Sequence, residues 1–224
     1  MADFSLDDLD ITDSHVLKMI KRRKPKNYES FVETLYEDID SIISDISDAR
    51  KYIRQKYQNL DSAHLKIFED DMNIQIVNGL KQLSYSACHD KYRNGHVDIH
   101  VEIDGKPYKW LGESKIWTGL SWIHHGFKQL IDDYSTGEEN ECCGGIIIYA
   151  VDTLLSTNMM LESWASFLFE KSNNEDDSNF KDFISWSNYP STNRNSFFSS
   201  QIHPHSGLPD YKIRHLIANF RSNR

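Results

Sequence analysis

Residues His96–Lys115 read HVDIHVEIDGKPYKWLGESK, and the way this stretch pairs with itself decides how the rest of the chain is arranged. Alternate residues of a strand share a face. Val97, Ile99, Val101 and Ile103 therefore form an apolar face, and His96, Asp98, His100 and Glu102 a polar one. Asp104-Gly105 has the chemistry of a two-residue hairpin turn. Such a turn sets Ile103 opposite Lys106, Val101 opposite Tyr108 and Ile99 opposite Trp110, so that Val97, Ile99, Val101, Tyr108 and Trp110 are expected to be buried on one side. Asp98 then faces Leu111. Glu113 is its diagonal neighbour, roughly 7–8 Å away between Cα atoms, and Lys115 continues along the same polar face. A slip of one residue would turn every side chain to the wrong side.

Carboxylates converging on one face repel each other unless a cation or a proton lies between them. A hard divalent cation takes oxygen ligands and keeps several waters. It also acidifies a bound water and polarises a phosphoryl oxygen. A lysine two residues beyond the second carboxylate is placed to orient that water or to offset charge building on phosphorus. The competing reading, an exposed Glu–Lys pair on a β-surface, contributes little stability. The aspartate at matching register, the apolar partner face and the helix that follows favour the metal site.

Working outward, Tyr28 to about Tyr57 carries Phe31, Leu35, Ile39, Ile42, Ile43, Ile46 and Ile53 at three- and four-residue steps, the spacing of one or two amphipathic helices. A further helix is expected from Asp61, a good N-cap, to about Leu83, with Leu65, Phe68, Met72, Ile76 and Leu80 on one stripe. Residues 1–26 read as an arm with a short helix around Ser14–Lys21. After the hairpin, Thr118–Tyr134 is helical, with Leu120, Ile123, Phe127, Leu130 and Tyr134 facing inward. Gly144–Val151 (GGIIIYAV) is a strand buried on both faces. Leu154–Glu170 is an amphipathic helix, Lys171–Ser178 a polar loop, Pro190–Pro209 irregular, and Tyr211–Phe220 a closing strand. The order describes an α/β fold, a mixed central sheet flanked by helices. Its helical N-terminal section spans residues 1–60 and its principal domain residues 61–224.

The chain has 224 residues, of which 39% are hydrophobic and 12% aromatic, enough for a proper core. No apolar run approaches the roughly 18 residues that span a bilayer, and residues 1–21 lack a secretory pattern. Cys88, Cys142 and Cys143 form neither a disulfide framework nor a metal-finger spacing, so a cytoplasmic protein without a membrane partner is expected. A net charge of −9 argues against a general nucleic-acid coat protein. The basic runs Lys18–Lys26 and Lys212–Arg224 are read first as solvated faces and second as phosphate contacts.

Asp98, Gly112-Glu113-Ser114-Lys115, the acidic helix before them and the helix and buried strand after them resemble the PD-(D/E)XK nuclease superfamily, which has the restriction-endonuclease-like fold. The resemblance covers about Asp61–Val151, with Val97 in place of the proline of the literal motif. It implies Asp98 and Glu113 as magnesium ligands, with manganese able to substitute, the backbone carbonyl of Ser114 as a further ligand, and Lys115 as the catalytic lysine. It also implies a glutamate from the preceding helix. Glu69 fits best because a carboxylate on an apolar stripe needs a partner, and Asp70 is the second choice. Gln129 is placed to contact nucleic acid, as in relatives with a Q-x-x-x-Y pattern, although Tyr134 follows it one residue later than that pattern requires and is read as core. The expected activity is phosphodiester hydrolysis, on DNA rather than RNA, in restriction or antiviral defence, with a partner subunit or a second copy of the chain. The alternatives are an RNA-cleaving nuclease and an inactive nuclease fold that binds protein.

One of His124 and His125 faces the site. His203-Pro204-His205 reads as a surface loop, and Pro209-Asp210 as a turn. His96 and His100 are either supporting donors or exposed β-residues. Trp117 and Trp122 flank the site, where a ring either packs or stacks on a base.

Overall fold

The computed structural model describes residues 12–56, 62–92, 95–151, 153–172, 183–187, 195–208 and 211–221. The expected cap Asp61, most of the polar stretch Lys171–Ser178 and the Pro209-Asp210 turn lie outside them. Among the described residues seven strands form one mixed sheet: β1 (Ser86–Tyr92), β2 (His96–Glu102), β3 (Lys109–Ile116), β4 (Cys143–Ala150), β5 (Phe183–Ser187), β6 (Ser196–Gln201) and β7 (Tyr211–Asn219). Their spatial order is β1-β2-β3-β4-β7-β6-β5. The strands β3, β4 and β7 run parallel, and the outer pairs are antiparallel.

The β-branched run Ile146-Ile147-Ile148 puts β4 at the centre, where both faces are covered. Trp110 explains the two glycines that flank it in space. Its ring lies so close that a Cβ at Gly112 would come within 2.6 Å of it, and one at Gly145 within 2.5 Å.

Helices cover both faces. On one side lie α2 (Tyr28–Asp48) and α4 (Ser62–Gln82), while α1 (Ser14–Arg23) rests on α2 and α3 (Arg50–Lys56) follows it. On the other side lie α5 (Leu120–Lys128), a π-helical turn over Gln129–Tyr134, and α6 (Thr157–Ser172). The first core joins Phe31, Leu35, Ile39, Phe68, Met72 and Ile76 to Ile99, Val101 and Trp110 of the sheet. The second joins Ile123, Phe127, Leu130 and Trp164 to Leu111, Ile146, Ile148 and Ile213. The boundary expected near residue 60 falls outside the described residues, and α2 on its N-terminal side shares a core with α4 and the sheet. No helix among the described residues is long and apolar enough to cross a membrane.

Polar side chains clamp the helical layer to the sheet. Arg214 on β7 is buried and donates through Nη2 to both carboxylate oxygens of Asp40, at 2.9 and 2.8 Å. Asp38 is fully enclosed. It receives Arg22 at 2.7 and 2.8 Å, the Tyr85 hydroxyl at 2.8 Å and the Lys18 ammonium at 3.2 Å. Two cations of the basic run thus hold α1 on α2.

Three strands depart from the sequence-based expectation. No strand is predicted at β1 or β5, and β6 falls inside the stretch expected to be irregular. β1 and β5 are sheet edges, and β6 is rich in serine, so local composition resembles a loop and only pairing with a neighbour makes these segments strands. His203 departs as well. It is fully buried rather than part of a surface loop, with its Nε2 2.7 Å from Ser135 Oγ, and burial lowers its pKa to about 4.

Candidate active site

The hairpin has a different register from the one the turn chemistry predicts. Val101 faces Trp110, not Tyr108, and Ile99 faces Gly112, not Trp110. Pro107 has no amide hydrogen to give to a ladder. Ile103 to Tyr108 therefore forms a longer loop, closed by Lys106 N donating to Ile103 O at 3.2 Å, and pairing resumes at Lys109. The shift is two residues, an even number, so each side chain of β3 keeps its face. Extending the observed register one step places Asp98 opposite Glu113 rather than diagonal to it.

The ladder stops short of that step. Beyond Ile99 and Gly112 the strands part, and the Asp98 carboxylate occupies the seam. Its Oδ2 accepts from the Ser114 backbone N–H at 2.8 Å and from Ser114 Oγ at 2.9 Å. Val97, expected beside Ile99 and Val101, packs instead in the opposite core with Leu111 and Ile123.

Glu113 and Lys115 lie on the α5 side of β3 and are buried. The Lys115 ammonium donates to Glu113 Oε1. Gly126 on α5 provides the room: a Cβ there would stand 2.8 Å from Lys115 Cγ and 3.2 Å from Glu113 Cγ. From α4, Glu69 reaches the end of β3, where its Oε2 accepts from the backbone N–H of Ile116 at 2.9 Å. The partner that its position on an apolar stripe demands is therefore a backbone amide. Asp70, the second choice, is turned toward His89, 3.9 Å away.

Electrostatics bind these groups into one unit. Burial, and next the charge of Asp98, raise Glu113 to about 8. Burial, reinforced by Asp98, raises Glu69 to about 7. Asp98 is also raised, by burial, against the pull of Lys115 and the two Ser114 donors. Burial alone would lower Lys115, but Glu113 and Asp98 outweigh it and hold its pKa above the ordinary lysine value. Three carboxyls thus share one ammonium. Fully ionised, they leave two negative charges uncompensated, and one oxygen, Glu113 Oε2, is buried without a hydrogen-bond partner.

With Asp98 turned to Ser114 and Glu113 to Lys115, no three acidic, histidine or cysteine side chains among the described residues stand together as a ready cation cage. The donor set nonetheless suits a hard divalent ion. It offers oxygen ligands, an excess of two charges and an unused carboxylate oxygen.

Tyr134 is buried in the second core, as its inward-facing position predicts, and it also meets Gln129. Gln129 and Tyr134 are five residues apart, and the chain between them is a π-helical turn. A π-helix closes bonds over five residues where an α-helix closes them over four. Gln129 Nε2 therefore meets the Tyr134 hydroxyl at 3.0 Å. That hydroxyl feels the cluster: after burial, the charges of Glu113 and Asp98 are the main causes that raise its pKa. The extra residue in the spacing was the available signal.

The surrounding residues divide. Trp122 is 46% exposed, and Lys115 Nζ lies 5.6 Å from its ring centre. His125 adjoins Trp122 at 5.6 Å between ring centres, whereas His124 packs on Phe167. His100 is buried beside Lys91, and His96 is exposed beside Asp90. No family model, curated protein or solved structure matches this chain.

Proposed function

We propose that this protein is a divalent-metal-dependent nuclease that hydrolyses phosphodiester bonds of DNA, a cytoplasmic enzyme of restriction or antiviral defence with the restriction-endonuclease-like form of the mixed α/β sheet. One observation carries the reading: the carboxyls of Glu69, Asp98 and Glu113 are coupled to the single ammonium of Lys115, two more than it can balance if all are ionised, and Glu113 Oε2 has no hydrogen-bond partner. A structural ion pair needs one carboxylate per lysine. Three clustered carboxylates, Glu113 buried and Asp98 and Glu69 partly so, raise each other's pKa and destabilise the fold unless something positive joins them.

Asp98, Glu113 and Glu69 would hold magnesium or manganese, with the Ser114 carbonyl as the further ligand that the family resemblance implies. The ion supplies Lewis-acid activation of the phosphate and acidification of water. The remaining roles belong to the chain. Ser114 fixes Asp98 through its amide and hydroxyl. Glu69 ties α4 to the end of β3. Lys115, kept protonated by its neighbours, offers positive charge to the oxygens of a phosphate seated against Glu113. Gln129, steered by Tyr134, presents an amide to the substrate backbone.

The test is incubation of DNA with magnesium or manganese, comparing the wild type with Glu113→Ala and Lys115→Ala. Loss of cleavage by roughly 100-fold or more in each is expected. Cleavage that survives both substitutions overturns the site. A wild type inert toward both DNA and RNA favours a non-catalytic protein-binding module.

A further inference from the structure

Trp122 is oddly placed for a tryptophan of this protein. Trp110 and Trp164 are enclosed, at 1% and 0% exposure, where their rings fill the two cores. Trp122 stands near the start of α5 with 46% of its surface exposed. One ring face is engaged by the Lys115 ammonium, 5.6 Å from its centre, and His125 borders it with a second ring tilted by 35°. An exposed indole is thus fixed by contact with the very lysine that reaches Glu113.

We propose that Trp122 is a stacking platform for an unpaired nucleobase beside the phosphate to be cut, so that the substrate is single-stranded DNA or a frayed end; this rests on the nuclease reading above. The geometry constrains the choice. A phosphate held at Glu113 and Lys115 brings its own nucleotide within reach of a ring that touches the same lysine. In a duplex the bases stack on one another inside the helix and offer no face to a side chain unless a base is flipped out. An unpaired base has a free π-face, and stacking on an aromatic ring supplies affinity without regard to sequence. The charge of the chain points the same way. At −9 it is poorly suited to a long duplex, whose binding is dominated by phosphate contacts. The basic side chains Lys18 and Arg22, which would serve that purpose, are occupied by Asp38.

The experiment measures binding rather than cleavage, in a full-length Glu113→Gln background, by fluorescence anisotropy with a short single-stranded DNA and a blunt hairpin duplex of the same sequence. The single strand is expected to bind more tightly. Trp122→Ala should weaken it by about tenfold or more, Trp122→Phe should restore most of the loss, and the duplex should bind alike in all three. Trp122 is exposed, so its truncation leaves both cores intact. Single-strand binding unchanged by Trp122→Ala, or weakened equally by Trp122→Phe, overturns the stacking role and leaves the nuclease reading standing. Failure of the Glu113→Gln protein to bind either DNA overturns both.

Discussion

Gln129 Nε2 donates to the Tyr134 hydroxyl at 3.0 Å across a π-helical turn, so a spacing one residue too long for an α-helix still brings the two side chains together, with the hydroxyl in the field of Glu113. The pair should act as a unit. Tyr134→Phe removes the acceptor and should lower stability by about 1 kcal/mol. Gln129→Ala should weaken DNA binding, and the double variant should be no weaker than the worse single. Additive losses in binding, from a double-mutant cycle, would show that the two act separately.

Gly126 leaves the space that Glu113 and Lys115 occupy. Gly126→Ala gains helix propensity, about 1 kcal/mol, while its Cβ pushes Lys115 off its seat. Small displacements of a catalytic group slow reactions steeply. Cleavage should fall by about tenfold or more, and the midpoint of chemical denaturation should fall as well, because overpacking a closed site costs about 1–3 kcal/mol and outweighs the propensity gain. A variant of full activity would mean that the lysine's position is not critical.

Stability in the presence of a chelator should turn over with pH. Burial lowers His203 to about 4 and His215 to about 3, so below about 6.5 the unfolded chain binds more protons and stability falls with acidity. Glu113 at about 8 and Glu69 at about 7 act oppositely: from their unfolded values upward the folded chain binds more protons, and stability falls as pH rises. The two effects offset each other near pH 5–6.5. Above that range the glutamates are opposed by Cys142, whose thiol is lowered to about 7 by its hydrogen bond with Cys143, so that from there to its unfolded value the unfolded chain binds more protons. A Cys142→Ser variant removes that opposition, and its thermal unfolding should show a decline between pH 6.5 and 8, which adding Glu113→Gln flattens. A Cys142→Ser variant that gains stability across that window would contradict the assignment.

Magnesium should reverse the same decline. Binding to the folded chain alone adds about 2.7 kcal/mol at 100 times the dissociation constant. Because Glu113 and Glu69 hold protons near neutrality, the ion must displace them, and its affinity should rise from pH 6.5 to 8. Titration calorimetry in two buffers of different ionisation enthalpy reads the released protons directly. Equal heats in both buffers would exclude the exchange.

Much of this site was legible in the linear order of residues. Asp98, Glu113 and Lys115 are identifiable from their shared polar face and Glu69 from its place on an apolar stripe, whereas Ser114 enters only through the family resemblance. The hairpin register was misjudged by two residues, since Asp104-Gly105 suggests a tight turn and the effect of Pro107 on pairing emerges only when the loop is built. The edge strand β1 and the serine-rich β6 were missed for a related reason, as their conformation comes from neighbours distant in sequence.

The sequence by itself determined the periodicities: which helices are amphipathic, that GGIIIYAV is a central strand, and which acidic residues lack an apolar reason for their place. Only the tertiary structure decided how these groups meet. It put Asp98 in the seam between strands, brought Glu69 from another helix to the end of β3, opened a place for Lys115 at Gly126, and joined Gln129 to Tyr134 through a π-turn. Periodicity is a local property of the backbone. Distances between side chains on separate elements, and the burial that sets their charges, arise only when two helical layers close on one sheet.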